Sequence, residues 1–232
     1  MNIVRNEKLI RRNSRIAQFT MLGGLVVLGA GMVISFRYQD QYALSLGALM
    51  TGFILSQIGI YFSNRWGRRP RPDELLDQAL KGLDSKYTLY HYTAPNSHLL
   101  VGPSGLWILI PYYQRGRFTY ENGRWKQRGG NLYLKIFAQE SLGRPDLEIL
   151  GETENLQNYL GKRLPDGIVP EIRAALVFTH PKAEIDIDPE TQPPAEAIAL
   201  GKLKDLVRKS AKTKALSLEK VKLVQDAILP PE

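Results

Sequence analysis

Chemistry in this chain has to be built from carboxylates, three histidines and basic side chains, because the sequence contains no cysteine. That excludes a disulfide scaffold, a thiolate-ligated zinc and a cysteine nucleophile. His91, His98 and His180 belong to no Ser/His/Asp constellation, and no glycine loop is spaced to cradle a phosphate. Two acidic sets stand out. Asp73, Glu74 and Asp77 open a predicted helix, where they are expected to cap it and face solvent. Glu184, Asp186, Asp188 and Glu190 alternate, so an extended segment lines them on one face. Such a row can hold Ca²⁺ or Mg²⁺ weakly; a solvated edge strand is the preferred reading. The basic candidates are Arg117, Arg124, Lys126 and Arg128, interleaved with Phe118, Tyr120 and Trp125. Bases beside rings suit backbone-plus-stacking contact with nucleic acid. A half-buried hairpin produces the same alternation, with the rings in the core and the bases in water, so nucleic acid is not the favoured partner.

These residues must be positioned by elements of two very different kinds. The net charge of +8 lies entirely in residues 1–71, which hold ten Lys/Arg and two acids, whereas residues 72–232 are balanced. Residues 16–36 and 41–64 carry no charge, in runs of 21 and 24. At ~1.5 Å per residue either run, as a helix, crosses a hydrocarbon core of ~30 Å. The four residues between them permit only a tight antiparallel hairpin. Arg5, Lys8, Arg11, Arg12 and Arg15 precede the first run, and Arg65, Arg68, Arg69 and Arg71 follow the second. The positive-inside rule therefore predicts a multi-pass protein of the cell (inner) membrane with both termini cytoplasmic. Residues 1–15 read as a basic cytoplasmic segment attracted to anionic lipid. Ala17, Gly24 and Gly31 recur every seven positions, and Ala48, Gly52 and Ser56 every four. Small faces like these pack a hairpin together, or join two copies in a homodimer.

Residues 72–188 read as a small α/β domain, and 189–232 as a linker with C-terminal helices packed on or beside it. A helix is predicted at 73–83. Strands follow at 86–92, 97–101 and 105–111, the last an unbroken apolar run bounded by Gly105 and Pro111. Asn122-Gly123 marks a two-residue hairpin turn between 117–121 and 124–128, with Tyr120 facing Trp125. Helices are expected at 132–141, 147–164, 195–209 and 216–229, and strands at 172–179 and 183–187. On the penultimate helix Lys202, Lys204, Arg208, Lys209, Lys212 and Lys214 form a basic side.

The segment from Ser97 to Ile110, built around Gly102-Pro103-Ser104-Gly105 and followed by the Gly116 hairpin, resembles the nuclease-related domain, or NERD, family. The resemblance covers about residues 73–180. It implies a restriction-endonuclease-like mixed β-sheet flanked by helices, following the transmembrane hairpin. The family motif carries an aspartate before the glycine turn and a Glu-x-Lys after it. Aligned on Val101-Gly102-Pro103, the aspartate position holds Ser97, with His98 retained beside it; the glutamate position holds Ile110 and the lysine position Tyr112. Metal-dependent phosphodiester hydrolysis needs carboxylates to hold a divalent cation and a cation to steady the phosphate. A hydroxyl, an alkane and a phenol supply neither.

The expectation is therefore a membrane-anchored domain with no catalytic residues and no cofactor, binding or scaffolding a protein partner at the membrane. His98, Arg117, Arg124, Lys126 and Arg128 are its candidate binding residues. Two alternatives stay open. One is a Mg²⁺-dependent membrane-tethered DNA nuclease with a rearranged acidic site; the other is a purely structural membrane-associated subunit.

Overall fold

The computed structural model describes residues 1–129, 141–165, 169–188, 190–191 and 193–228. These form two compact units: residues 7–72 make one, and residues 1–6 together with the chain from Asp73 onward make the other.

The first unit is a helical hairpin of α1 (Glu7–Arg37) and α2 (Tyr42–Phe62), joined by a 3-10 turn and closed by a single π-helical turn over Ser63–Gly67. Both helices are long and apolar enough to cross a membrane. Their side chains are arranged inside out relative to a water-soluble pair. The large apolar residues Phe19, Leu25, Val26 and Phe36 point away from the seam, whereas its buried positions include Ala17, Gly24, Gly31, Gly52 and Gly59. A Cβ on Gly24 would meet the Ser56 backbone nitrogen at 2.9 Å, and one on Gly52 the Leu28 nitrogen at 2.8 Å. Backbones this close gain dispersion along the whole seam, the dominant attraction where lipid removes the hydrophobic one. Ser45 Oγ donates across it to the Gly31 carbonyl at 2.9 Å. The small-residue positions Gly24, Gly31, Ala48, Gly52 and Ser56 thus pack against one another inside the hairpin.

The second unit is a mixed α/β fold. Its main sheet has six strands: β1 (Asn2–Arg5), β2 (Thr88–His91), β3 (His98–Gly102), β4 (Gly105–Tyr112), β7 (Ile172–Phe178) and β9 (Glu196–Ala199), in that spatial order. β2, β3 and β4 form an antiparallel meander, and β7 runs parallel to β4. A smaller sheet is ordered β6 (Arg124–Arg128), β5 (Gly116–Glu121), β8 (Ala183–Ile185). The helices are α3 (Pro72–Leu80), α4 (Pro145–Gly161), α5 (Leu203–Thr213) and α6 (Leu218–Ala227).

The period of two along the central strands divides the core into two layers. Leu99, Leu106, Ile108, Ile110 and Leu176 pack toward Ile149, Leu156 and Leu160 of α4 and Val221 and Val224 of α6. Leu89, Leu100, Trp107, Leu109 and Val177 pack toward Leu76 and Leu80 of α3 and Leu203 and Val207 of α5. The unbroken apolar run of β4 follows from this: it lies between two strands and under helices on both faces, so neither set of side chains meets water. Asn122 and Gly123, at φ of 53° and 73°, make the turn that sets Tyr120 opposite Trp125.

Two departures from the sequence reading matter. Residues 1–15 are not a separate basic segment: Asn2–Arg5 pair in parallel with β2, and α1 begins at Glu7. The helix expected from residue 195 starts at Leu203, because Glu196–Ala199 instead cover the open edge of β7 as β9. Ala-rich residues there favour helix by intrinsic propensity, but edge pairing overrides it. The helix expected at 132–141 lies, except for Ser141, outside the described residues.

Candidate functional site

The strand positions singled out by the nuclease-related resemblance do converge. In the β3–β4 register Leu99 lies opposite Ile108, and continuing that register sets Ser97 opposite Ile110. Tyr112 is two residues on, and it and Ile110 share the face under α4. Ser97 is exposed, and its carbonyl accepts the Tyr92 N–H at 2.9 Å. Ile110 and Tyr112 are buried in the core. The Tyr112 hydroxyl donates to Glu148 Oε2 at 2.6 Å, and the ring stacks on Phe178 with centroids 5.8 Å apart. One turn further along α4, Glu152 accepts from the Asn96 amide. Glu148 and Glu152 reach this face from the helix, and both are engaged as hydrogen-bond acceptors. A hydroxyl, an alkane and a phenol whose proton is held by Glu148 do not fit a divalent cation. Among the described residues, no three or more His, Asp or Glu side chains are grouped to hold a metal ion.

His98, one residue from Ser97, belongs to the opposite layer and to a different arrangement. β2 and β3 set it directly opposite His91, and both rings are buried. Their Nδ1 atoms lie 2.7 Å apart. His91 Nε2 is 3.0 Å from Asp77 Oδ1, and since a carboxylate has no proton to give, His91 donates there. The Arg5 guanidinium pairs through Nη2 with the other Asp77 oxygen, and Arg5 Nε stands 3.1 Å from Asp73 Oδ2. The Tyr92 ring meets His98 edge-on at 4.9 Å. A continuous polar chain therefore runs from α3 through β1 and β2 to β3: Asp73, Arg5, Asp77, His91, His98.

Two sequence expectations are corrected by it. His98, carried as a binding candidate, has an enclosed and hydrogen-bonded ring. Asp73, expected to face solvent as a cap, has a side chain with no exposed area. Arg5, counted among the lipid-facing bases, instead pairs with two carboxylates. The other four, Lys8, Arg11, Arg12 and Arg15, are exposed on the first turns of α1.

The remaining binding candidates surround the small sheet, and Arg117, Lys126 and Arg128 are paired with carboxylates. Arg117 Nε donates to Asp186 at 2.8 Å. Lys126 and Arg128 pair with Glu121 at 2.9 and 3.1 Å. The hydrogen bond from Lys126, above all, holds the Glu121 carboxyl below the usual carboxylate range. Arg124 is exposed opposite Glu121. Asp146 also sits below its ordinary value, chiefly through Arg144, with Arg124 contributing least. The alternating acids form no cation row: Asp186 is committed to Arg117, and Asp188 accepts the backbone N–H of Glu190 at 2.9 Å.

The His91–His98 pairing was within reach of the sequence. The two residues bracket a six-residue loop between adjacent strands, so a symmetric hairpin sets them opposite one another. Arg5 carried no such signal, because a four-residue strand ahead of a long apolar helix has too little pattern to register. No protein-family model, curated protein or solved structure matches this chain.

Proposed function

We propose that this protein is a membrane-anchored α/β domain displayed at the cytoplasmic face of the cell membrane, with a nuclease-related fold that binds or scaffolds rather than cuts. The observation that carries the reading is one of connectivity. The apolar hairpin is inserted between β1 and α3, so the chain leaves one folded unit, passes through both apolar helices and re-enters the same unit. A hairpin of two spans returns the chain to the side it left, which fits a single domain on one face of a bilayer. Lys8, Arg11, Arg12 and Arg15 ahead of the charge-free stretch of α1, and Arg65, Arg68 and Arg69 after that of α2, favour the cytoplasmic face. Aromatic residues support spanning: Tyr38 and Tyr42 stand at one end, and Tyr61, Phe62 and Trp66 cluster at the other, with Arg65 over the Tyr61 ring. Tyr42 to Tyr61 is nineteen residues, or about 29 Å of helix, close to the hydrocarbon thickness.

Support for the non-cutting half comes from side-chain chemistry. The resemblance asks for a helix before the glycine turn and a strand after it; α3 precedes that turn and β7 follows it, which supports the reading. In the alignment on which the resemblance rests, Ser97, Ile110 and Tyr112 fall at the three chemical positions. The test is incubation of the purified full chain in detergent with Mg²⁺ or Mn²⁺ and plasmid or single-stranded DNA. No cleavage above a mock purification is expected. Cleavage abolished by Glu148→Gln or Glu152→Gln would overturn the reading in favour of a nuclease with a relocated acidic site.

A further inference from the structure

The histidine pair poses a problem of proton count, and its solution has a consequence for β1. Two Nδ1 atoms at 2.7 Å make a hydrogen bond only if one proton lies between them. His91 already donates Nε2–H to Asp77. With both rings neutral, His98 donates from Nδ1 and His91 accepts. The charged neighbours include Arg5 on β1 and Asp73 and Asp77 on α3, with the neutral Tyr92 ring against His98. Those three charges sum to one negative. A first added proton can therefore enter at His91 Nδ1 and neutralise the cluster, with His98 switching from donor to acceptor by moving its own proton to Nε2. A second cannot. It would set two N–H groups head to head and leave an excess positive charge in a site with almost no solvent.

We propose that the Asp77–His91–His98 relay is a proton-operated latch on β1: it holds the strand in the sheet while the imidazoles share one proton and releases it when both Nδ1 atoms are protonated. The latch acts on β1 by two routes. Asp77 is the shared partner of His91 and Arg5, so losing the relay geometry loosens the Arg5 anchor. The His91 carbonyl accepts the Asn6 N–H at 3.0 Å, the last bond holding β1 to its neighbour before the hairpin begins. Histidine is the side chain whose ordinary titration lies in the physiological range, so acidification is the natural trigger. The inference goes beyond membrane anchoring and does not depend on it.

Hydrogen exchange on the full chain in detergent tests it, with the Asn6 amide as reporter and the Thr179 amide, bonded to the Tyr112 carbonyl at 2.7 Å, as internal control. Between about pH 7.5 and about pH 5.5, Asn6 protection corrected for intrinsic rates is expected to fall about tenfold or more relative to Thr179, since each pH unit shifts a one-proton equilibrium tenfold. His98→Asn should abolish the fall. Its amide reaches about where Nδ1 stood and can either donate to a neutral His91 or accept from a protonated one, but it takes no proton itself. Asn6 tracking Thr179 in the wild type, or an undiminished fall in His98→Asn, overturns the latch. Should His98→Asn fail to fold, imidazole ¹⁵N shifts of the wild type decide. One protonated Nδ1 of the two near neutral pH sustains the proposal, and two protonated there defeat it.

Discussion

Arg5 Nε stands 3.1 Å from Asp73 Oδ2, which ties the last residue of β1 to the second residue of α3 across the whole intervening hairpin. The same guanidinium pairs with Asp77, one turn further along α3. The two points at which the folded unit hands its chain to the apolar helices are thus joined to each other by charge.

Removing Arg5 should be costly for this reason. The Asp73 side chain is fully buried, and a buried carboxylate stripped of its partner is worth about 3 kcal/mol of destabilisation or more. Arg5→Ala is expected to lose about that much in chemical denaturation followed by tryptophan emission. Arg5→Lys should recover only part, because one ammonium cannot span two carboxylates as a guanidinium does. A loss under about 1 kcal/mol for Arg5→Ala, the range of exposed pairs, would show that the cluster carries little of the fold.

The hairpin seam makes a prediction of a different kind. Gly52→Leu inserts a branched side chain where even a Cβ meets the Leu28 nitrogen at 2.8 Å. Backbone cannot yield as a side chain tip can, so the helices must separate. Disulfide trapping between cysteines introduced at Gly31 and Ala48, whose would-be Cβ contact is 3.1 Å, should be efficient in the parent and fall sharply with Gly52→Leu. Gly47→Leu is the control, since nothing lies within 4 Å of its would-be Cβ.

Legibility in the sequence followed how locally each feature is encoded. Charge-free runs, the Asn-Gly turn and the apolar run of β4 are written in neighbouring residues, and each was readable there. β1 and β9 were not, because each is four residues long and is a strand only by virtue of the edge it covers. The candidate site divides the same way. Ser97, Ile110 and Tyr112 could be numbered from the glycine turn. The partners that define their surroundings, Glu148 and Glu152, come from a helix more than thirty residues on. Asp73 was misread because acids at a helix start ordinarily cap it in water, and only the distant Arg5 makes burial tolerable.

Tyr90 sets a pH limit on the domain from the alkaline side. Burial pushes its phenol up to about 12 from 10.0, outweighing the lowering effect of its hydrogen bond with Thr88, while Asp226 and Tyr159 push the same way as burial. A folded-state value above the unfolded one means the unfolded chain loses its proton first. The stabilisation is complete below pH 10.0 and is lost as pH rises toward about 12. Denaturation midpoints should therefore decline through that window, and Tyr90→Phe should flatten the decline attributable to this residue. An unchanged slope in Tyr90→Phe would assign the alkaline loss to other groups.

The strongest check on the nuclease-related reading is to rebuild what the sequence lacks. Ile110→Glu alone buries a carboxylate among Leu156, Phe178 and other apolar side chains and should destabilise the domain by several kcal/mol, or be held protonated. If the continued β3–β4 register sets residue 97 opposite residue 110, then adding Ser97→Asp and Tyr112→Lys supplies a second carboxylate across the strand pair and a cation two residues along the same face. Two carboxylates so placed attract a divalent cation, and whatever binds only the folded state raises its melting temperature with concentration. The triple variant is expected to show a Mg²⁺-dependent rise in Tm that both wild type and Ile110→Glu lack. A triple variant destabilised equally with and without Mg²⁺ would mean that these three positions do not form the constellation from which the resemblance was drawn.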